Sequence, residues 1–394
     1  MEEINVIHQM NEIKKILSYA KNIGFFFGAG TSCSFGLPNI TTLTSEVADT
    51  LSDSLKADFE KVRKGLVHLT GRTTINIEDI LNHVRQIRDI TYEKADSEYD
   101  GITGSVAKEL DSEICKRIFH VIMEKENKAD ITDIQKFFAW YDTSYRDYVK
   151  EVFTTNYDML FEKAMEANYI PYFDGFVGSF EPFFWSESVD RFVPCSDLTG
   201  SWIRLWKIHG SLNWEAENDV SNEKTKILRS GRVNDPKNEL LIYPSKEKYS
   251  LSRKLPFVAY FDRLRSYLLR GEQLFVFSGY SFCDQHINET VFYCLRQNAR
   301  LFSVVLCFSD EQVEYMQDFG KAYLNLCVLG PQKAIINGKL CKWVFDNSDG
   351  EDSKSNYYWD EASNVFLLGD YKKLIEFLVE NSGRRTIIEE MAHA

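Results

Sequence analysis

The segment Ile23-Gly24-Phe25-Phe26-Phe27, running directly into Gly28-Ala29-Gly30-Thr31-Ser32, constrains this chain more than any other. Five uncharged, mostly large residues that stop abruptly predict a short strand buried on both faces, as in a parallel sheet. The glycines that follow predict a tight turn. There the backbone can approach a pyrophosphate held by free N–H groups and a nearby helix terminus. The full G-x-G-x-x-G spacing is missing, so this segment alone is equally consistent with a strand-to-helix turn that binds nothing.

The rest of the chain places that strand in an alternating pattern. Ile4, Ile7, Met10, Ile13, Leu17 and Ala20 form a helical stripe over residues 4–20. Beyond Pro38, residues 42–150 read as a helical insertion, with stripes at Ile77, Ile80, Leu81, Val84 and Ile87 and at Ile114, Ile118, Val121 and Ile122, and a loop at Thr91–Ser105 between them. Val149–Phe153 predicts a strand closing in Thr154-Thr155-Asn156-Tyr157-Asp158, before a helix over Met159–Ala167. Further strands are expected at Ile203–Ile208 before His209-Gly210-Ser211, at Leu240–Tyr243, at Gln273–Phe277 before Ser278-Gly279-Tyr280-Ser281, and at Leu301–Phe308. Helices fit between them, notably Phe257–Arg270. The tail predicts strands near 322–329 and 338–345, a polar surface loop at Asp346–Asn356 and a helix over 370–381. The fold class is therefore α/β: a Rossmann-like, mainly parallel sheet with helices on both faces and a helical insertion. Residues 1–310 are expected to form one domain, and 311–394 an α/β extension packed on it. The aromatic stretch Pro171–Ser201 fits a pocket wall or a packed loop equally.

Composition narrows the function. Lys plus Arg number 46 against 59 Asp plus Glu, a net charge of −13, which excludes a chain-wide grip on nucleic acid. Any nucleic-acid contact is expected to be indirect. Ser245–Arg270 runs against this balance with seven cations and two acids; a solvated helical face accounts for it more simply than a binding patch. The N-terminus has no export pattern and no apolar run approaches the ~20 residues needed to span a bilayer, so a cytoplasmic protein without membrane contact is expected. Eight scattered cysteines without a Cys-x-x-Cys pair predict free thiols, no disulfide framework and no metal site. Cys283 with His286 makes too small a ligand set and reads as structural.

Four blocks then appear in order at strand ends: Gly28-Ala29-Gly30-Thr31-Ser32 with Phe35-Gly36-Leu37-Pro38, Thr155-Asn156-Tyr157-Asp158, Ile208-His209-Gly210-Ser211, and Gly279-Tyr280-Ser281. In this order and placement the chain resembles the sirtuin (SIR2) superfamily over about 28–310. The resemblance implies NAD as substrate. Gly28, Ala29, Gly30 and Ser32 would line the NAD phosphates, Thr31, Pro38 and Thr155 would also belong to the cofactor-binding site, and Gly279 and Ser281 would hold the adenosine half. Asn156 and Asp158 match the polar pair at the nicotinamide ribose, and His209 matches the general base.

Cleaving the nicotinamide–ribose bond develops positive charge on the ribose, so it needs a fixed ribose, a polar environment and a proton acceptor. A histidine neutral near pH 7 suits the last role, and Asn156 bonds without adding charge. Asn156 and His209 rank above Asp158. Asn156 and Asp158 also fit an Asx-turn and helix cap before Met159.

Departures from the protein-deacylating sirtuins refine the expectation. Their two zinc-binding Cys-x-x-Cys pairs are missing, and Ile40-Thr41 stands where they carry Phe-Arg. The chain in this respect resembles the zinc-free SIR2-like effectors of bacterial anti-phage defence, as does Asn76-Ile77-Glu78-Asp79-Ile80-Leu81 within its insertion. That resemblance implies an NAD hydrolase releasing nicotinamide and ADP-ribose, a homo-oligomer, and a possible HerA-type ATPase partner. An acyl or ADP-ribosyl transferase, and a non-catalytic NAD sensor or scaffold, remain open alternatives.

Overall fold

Alternation along the central strands divides the interior into two cores. The structure, a computed structural model, describes residues 1–20, 22–144, 149–190, 202–219, 224–231, 239–242, 255–347, 350 and 352–381. In chain order the strands are β1 (Glu2–Asn5), β2 (Ile23–Phe27), a hairpin of β3 (Glu98–Tyr99) and β4 (Ile102–Thr103), β5 (Glu151–Thr154), β6 (Tyr172–Phe173), β7 (Phe176–Val177), β8 (Phe183–Phe184), β9 (Ile203–Lys207), β10 (Gly210–Asp219), β11 (Lys224–Arg229), β12 (Glu239–Ile242), β13 (Gln273–Ser278), β14 (Leu301–Leu306), β15 (Leu326–Leu329), β16 (Lys333–Ile336), β17 (Lys339–Val344), β18 (Trp359–Asp360) and β19 (Val365–Phe366). Ten of them form one sheet in the order β1-β17-β16-β15-β14-β13-β2-β5-β9-β6. From β15 to β6 every neighbouring pair is parallel.

Phe25 and Phe27 face the core that holds helices Val6–Tyr19 and Tyr371–Glu380 and the helices between 40 and 143, whereas Phe26 faces helices Phe257–Leu268 and Gln285–Gln297. Phe25 packs edge-on against Phe137 at 5.1 Å and Phe27 against Phe161 at 5.2 Å, while Phe26 meets Tyr280 at 4.7 Å. Each such side chain contributes roughly 1.5–3 kcal/mol of burial, which is why β2 tolerates no polar residue. The expected α/β class with helices on both faces is therefore observed. The insertion contains helices Ile40–Thr50, Asp53–Thr70, Ile77–Ile90, Gly104–Glu126 and Thr132–Thr143. Helix Ile77–Ile90 starts in a reciprocal capping box between Asn76 and Asp79.

Several sequence expectations are corrected. Residues 2–5 form β1 rather than a first helical turn, because they pair in parallel with β17, a partner more than 330 residues away. The predicted loop Thr91–Ser105 contains the β3–β4 hairpin and the start of helix Gly104–Glu126. The segment after His209 does not return through a helix to the parallel sheet: β10 turns back into a second, antiparallel sheet in the order β12-β10-β11-β8-β7. Leu240–Tyr243, expected in the parallel sheet, contributes β12 to this second sheet instead, with Tyr243 outside the described residues. Phe176 and Phe184 from the aromatic stretch pack there against Trp214 and Tyr260; residues 191–201 lie outside the described ones. In the tail, Gln317–Ala322 is helical and β16 inserts antiparallel between β15 and β17.

The basic stretch also differs from expectation. Residues 243–254 lie outside the described ones, but Arg263 is buried rather than solvated. Its guanidinium forks onto Glu151 at the start of β5, with Nε at 2.8 Å, and Trp206 Nε1 donates to the same carboxylate at 2.7 Å. Glu151 thereby ties helix Phe257–Leu268 to the sheet. Replacing one partner leaves the other charge buried without compensation, so Glu151→Gln is expected to lower stability by ~3 kcal/mol, read as an earlier urea midpoint.

Candidate active site

Two strand-end loops interlock where the strand order reverses, with β2 leading on one side to β5 and lying on the other against the late strand β13. Ser278 carbonyl accepts from Gly28 N–H at 3.0 Å, and Gly279 carbonyl accepts from Gly30 N–H at 2.9 Å. A Cβ on Gly30 would sit 2.8 Å from Gly279 Cα, and one on Gly279 would strike Thr31 N. Gly279 also holds a left-handed φ of +64°, which glycine adopts without penalty. The glycines are thus needed for backbone-to-backbone approach. The N–H groups of Gly28, Gly30 and Thr31 all bond to protein carbonyls, so these three are not the free donors expected from the sequence. Ala29 and Gly30 are exposed while Gly28, Thr31 and Ser32 are buried.

Across the β2–β5 pairing lies Asn156, 6% exposed. Its amide orientation follows from its neighbours. Thr31 Oγ1 donates to Gly28 carbonyl at 2.8 Å, and Ser32 Oγ donates to Asp158 Oδ2 at 2.7 Å. Each hydroxyl has one proton, so both must accept from Asn156 Nδ2, at 3.1 and 2.8 Å. Asn156 Oδ1 is left buried without a partner among the described residues. An unpaired buried acceptor costs ~1–3 kcal/mol and marks a place where a donor is missing. Asp158 acts through Ser32, and its Oδ1 also accepts from Leu160 N–H at 3.2 Å, the Asx-turn read from the sequence, whereas the N-cap of the helix is Met159 without a side-chain capping bond. Burial raises its carboxyl above the ordinary value, opposed by the Lys207 ammonium.

Lys207 is the hub beneath this loop. It is 2% exposed and donates to Asp158 carbonyl at 2.6 Å, Glu162 Oε1 at 2.7 Å and Ser211 Oγ at 2.8 Å. Leu212 N–H bonds Tyr157 carbonyl at 3.0 Å. The Asn156 loop and the His209 loop are therefore tied together by main chain and by one buried cation. Thr154 pairs with Lys207 across the sheet, so Asn156 and His209 leave adjacent strands at matching positions.

His209, 9% exposed, sits in the turn between β9 and β10. Its Nε2 lies 2.9 Å from Asp284 Oδ2, and Asp284 Oδ1 accepts from His286 and Ile287 N–H as the cap of helix Gln285–Gln297. Tyr280 hydroxyl bonds Asn288 Oδ1 at 3.0 Å. Pro38 and Thr155 are half-buried and Ser281 is exposed. Lys207, Glu162 and Asp284 escaped sequence reasoning. The signal for the first two was a charge inside an otherwise apolar strand and helix face; Asp284 reads from sequence only as a helix cap. Among the described residues no group of three or more His, Cys, Asp or Glu is placed to hold a metal, and no helix is long and apolar enough to cross a membrane.

With this geometry in hand, comparison with known proteins gives the class. Residues 150–324 match the family model of the SIR2-like domain, a span that includes the Asn156, His209 and Gly279 blocks. The molecule is an α/β protein of Rossmann type whose residues 150–324 are similar to the SIR2-like domain. Similar solved structures include a SIR2 homologue in complex with NAD (13% identity over 75% of this chain and 81% of that one, TM-score 0.36). Another is reported for the mechanism and regulation of Sir2 enzymes (16% identity over 76% of this chain and 86% of that one, TM-score 0.34). A third is a Sir2 protein bound to a propionylated peptide (13% identity over 79% and 99%, TM-score 0.33). No curated protein sequence matches the chain.

The loop interlock separates two glycine substitutions. Gly279→Ala meets both a left-handed φ and the Thr31 backbone and is expected to cost at least ~2 kcal/mol. Gly36→Ala, with φ +87° but open space around it, should cost only ~1 kcal/mol. Thermal unfolding of the two variants side by side checks the ordering.

Proposed function

We propose that this chain is a SIR2-like NAD hydrolase: water replaces nicotinamide at the ribose C1′, yielding nicotinamide, ADP-ribose and a proton. The observation that carries this reading is Asn156, whose amide is locked by Thr31 and Ser32 and whose Oδ1 waits for a donor. A hydroxyl-rich ligand such as a nicotinamide ribose supplies such a donor. In this reading Asn156 binds the ribose, Asp158 holds Asn156 in place through Ser32, and His209 accepts the proton from the attacking water. Gly28, Ala29, Gly30, Thr31, Ser32, Pro38 and Thr155 line the crevice, and Gly279 and Ser281 take the adenosine side. The family-model match over residues 150–324 and the four ordered sequence blocks support it.

The absence of Cys-x-x-Cys pairs from the sequence and the helical insertion favour water over an acyl-peptide as acceptor. They extend the proposal to an NAD-depleting role in bacterial anti-phage defence, as a cytoplasmic homo-oligomer with a HerA-type ATPase as candidate partner. The domain division at about residue 310 belongs to the same proposal.

Incubation of the purified chain with NAD, with and without a HerA-type partner, followed by chromatography, is expected to show nicotinamide and free ADP-ribose without any acyl acceptor. Asn156→Ala and His209→Ala should each lower nicotinamide release at least ~100-fold with unchanged thermal unfolding. Strong acceleration by an acyl-peptide, or ADP-ribose found on a protein chain, would instead make it a transferase. NAD binding without turnover in any arm would make it a sensor. A chelator is expected to leave both turnover and unfolding temperature unchanged.

A further inference from the structure

We propose that Asp284 is a positioning residue that fixes the neutral His209 ring as its Nε2–H tautomer, leaving Nδ1 as the atom that accepts a proton. The inference rests on the NAD-cleaving reading for its consequence, but its geometry stands by itself. His209 Nε2 and Asp284 Oδ2 are 2.9 Å apart, at 9% and 7% exposure. A carboxylate can only accept a hydrogen bond, so a neutral imidazole facing it must carry its proton on Nε2. Its Nδ1 has no hydrogen-bond partner among the described residues.

The carboxylate cannot turn away, because its other oxygen is fixed by His286 N–H at 3.0 Å and Ile287 N–H at 3.4 Å. A helix start is thereby converted into a rigid support for the histidine. Titratable groups near Asp284 among the described residues include Cys283 and His286 on its own segment, Tyr280 from the β13 loop and Tyr157 from the β5 loop. Burial raises both tyrosines well above their ordinary value, so they stay neutral and Asp284 is the carboxylate in contact with the ring.

The amide variant discriminates this role from capping. Asn caps helices as well as Asp, and with Oδ1 held by the two N–H groups, its Nδ2 would face His209 and donate. The ring must then accept at Nε2, which forces the Nδ1–H tautomer. A comparable Asp→Asn change beside a serine-protease histidine lowers kcat about 10⁴-fold through the wrong tautomer.

The test is ¹⁵N NMR of the full chain labelled at histidine, with the His209 signals assigned by their loss in His209→Gln. The expected result is Nε2–H in the wild type and Nδ1–H in Asp284→Asn, with unfolding temperature essentially unchanged. In the turnover assay Asp284→Asn should lower kcat at least ~100-fold while KM moves less than about threefold. A wild-type ring in the Nδ1–H form, or a tautomer indifferent to Asp284→Asn, would overturn the proposal; if the variant does not fold, the wild-type spectrum alone decides it. No NAD cleavage by a wild type that shows Nε2–H would overturn the NAD-cleaving reading while upholding the tautomer assignment.

Discussion

Everything in the candidate site depends on one close approach: the backbone of the loop after β2 lies directly against the backbone of the loop after β13. Side chains could not mediate it, because a Cβ at Gly28, Gly30 or Gly279 would enter the opposing main chain. The contact places early and late parts of the sequence at the same sheet end, where the strand order reverses and α/β proteins bind ligands. It also consumes the N–H groups of Gly28 and Gly30. The loop therefore offers shape and exposed backbone at Ala29 and Gly30 rather than a full ring of donors.

Behind that contact lies a layer of buried polar groups whose bonds determine one another. Gly28 carbonyl orients Thr31, Asp158 orients Ser32, and together they orient Asn156. Lys207 beneath them is paired with Glu162 and spends its remaining protons on Asp158 carbonyl and Ser211. A buried ammonium is tolerable only when so fully engaged. The consequence is rigidity where adjacent strands release the two residues proposed for chemistry.

Much of this was legible in the sequence because it is local. The apolar run at 23–27, the Asx-turn at Asp158, and the small-residue blocks at strand ends are short-range patterns with short-range causes. What was not legible depends on distant partners. β1 takes its conformation from β17, and the antiparallel sheet after His209 depends on β10 finding β11 and β12 rather than a helix. Arg263 sat within a basic run and read as solvated, yet it is buried against Glu151 from over a hundred residues earlier. Nothing within a few positions of Arg263 announces that.

The polarity of the site follows from the same accounting. Asn156 presents its oxygen because both adjacent hydroxyl protons are committed elsewhere, and His209 presents Nδ1 because a carboxylate occupies its other nitrogen. Both uncommitted groups are acceptors. A site built of acceptors beside buried carboxyls is poorly matched to an anion and well matched to a partner that brings hydroxyl protons. A ribose diol and an attacking water are such partners, and a phosphate is not. Phosphates would therefore belong towards the exposed backbone at Ala29 and Gly30, and the bond to be cut towards Asn156 and His209. On the proposed NAD-cleaving reading, the direction of a bound dinucleotide would be set by which hydrogen bonds the protein has already made to itself.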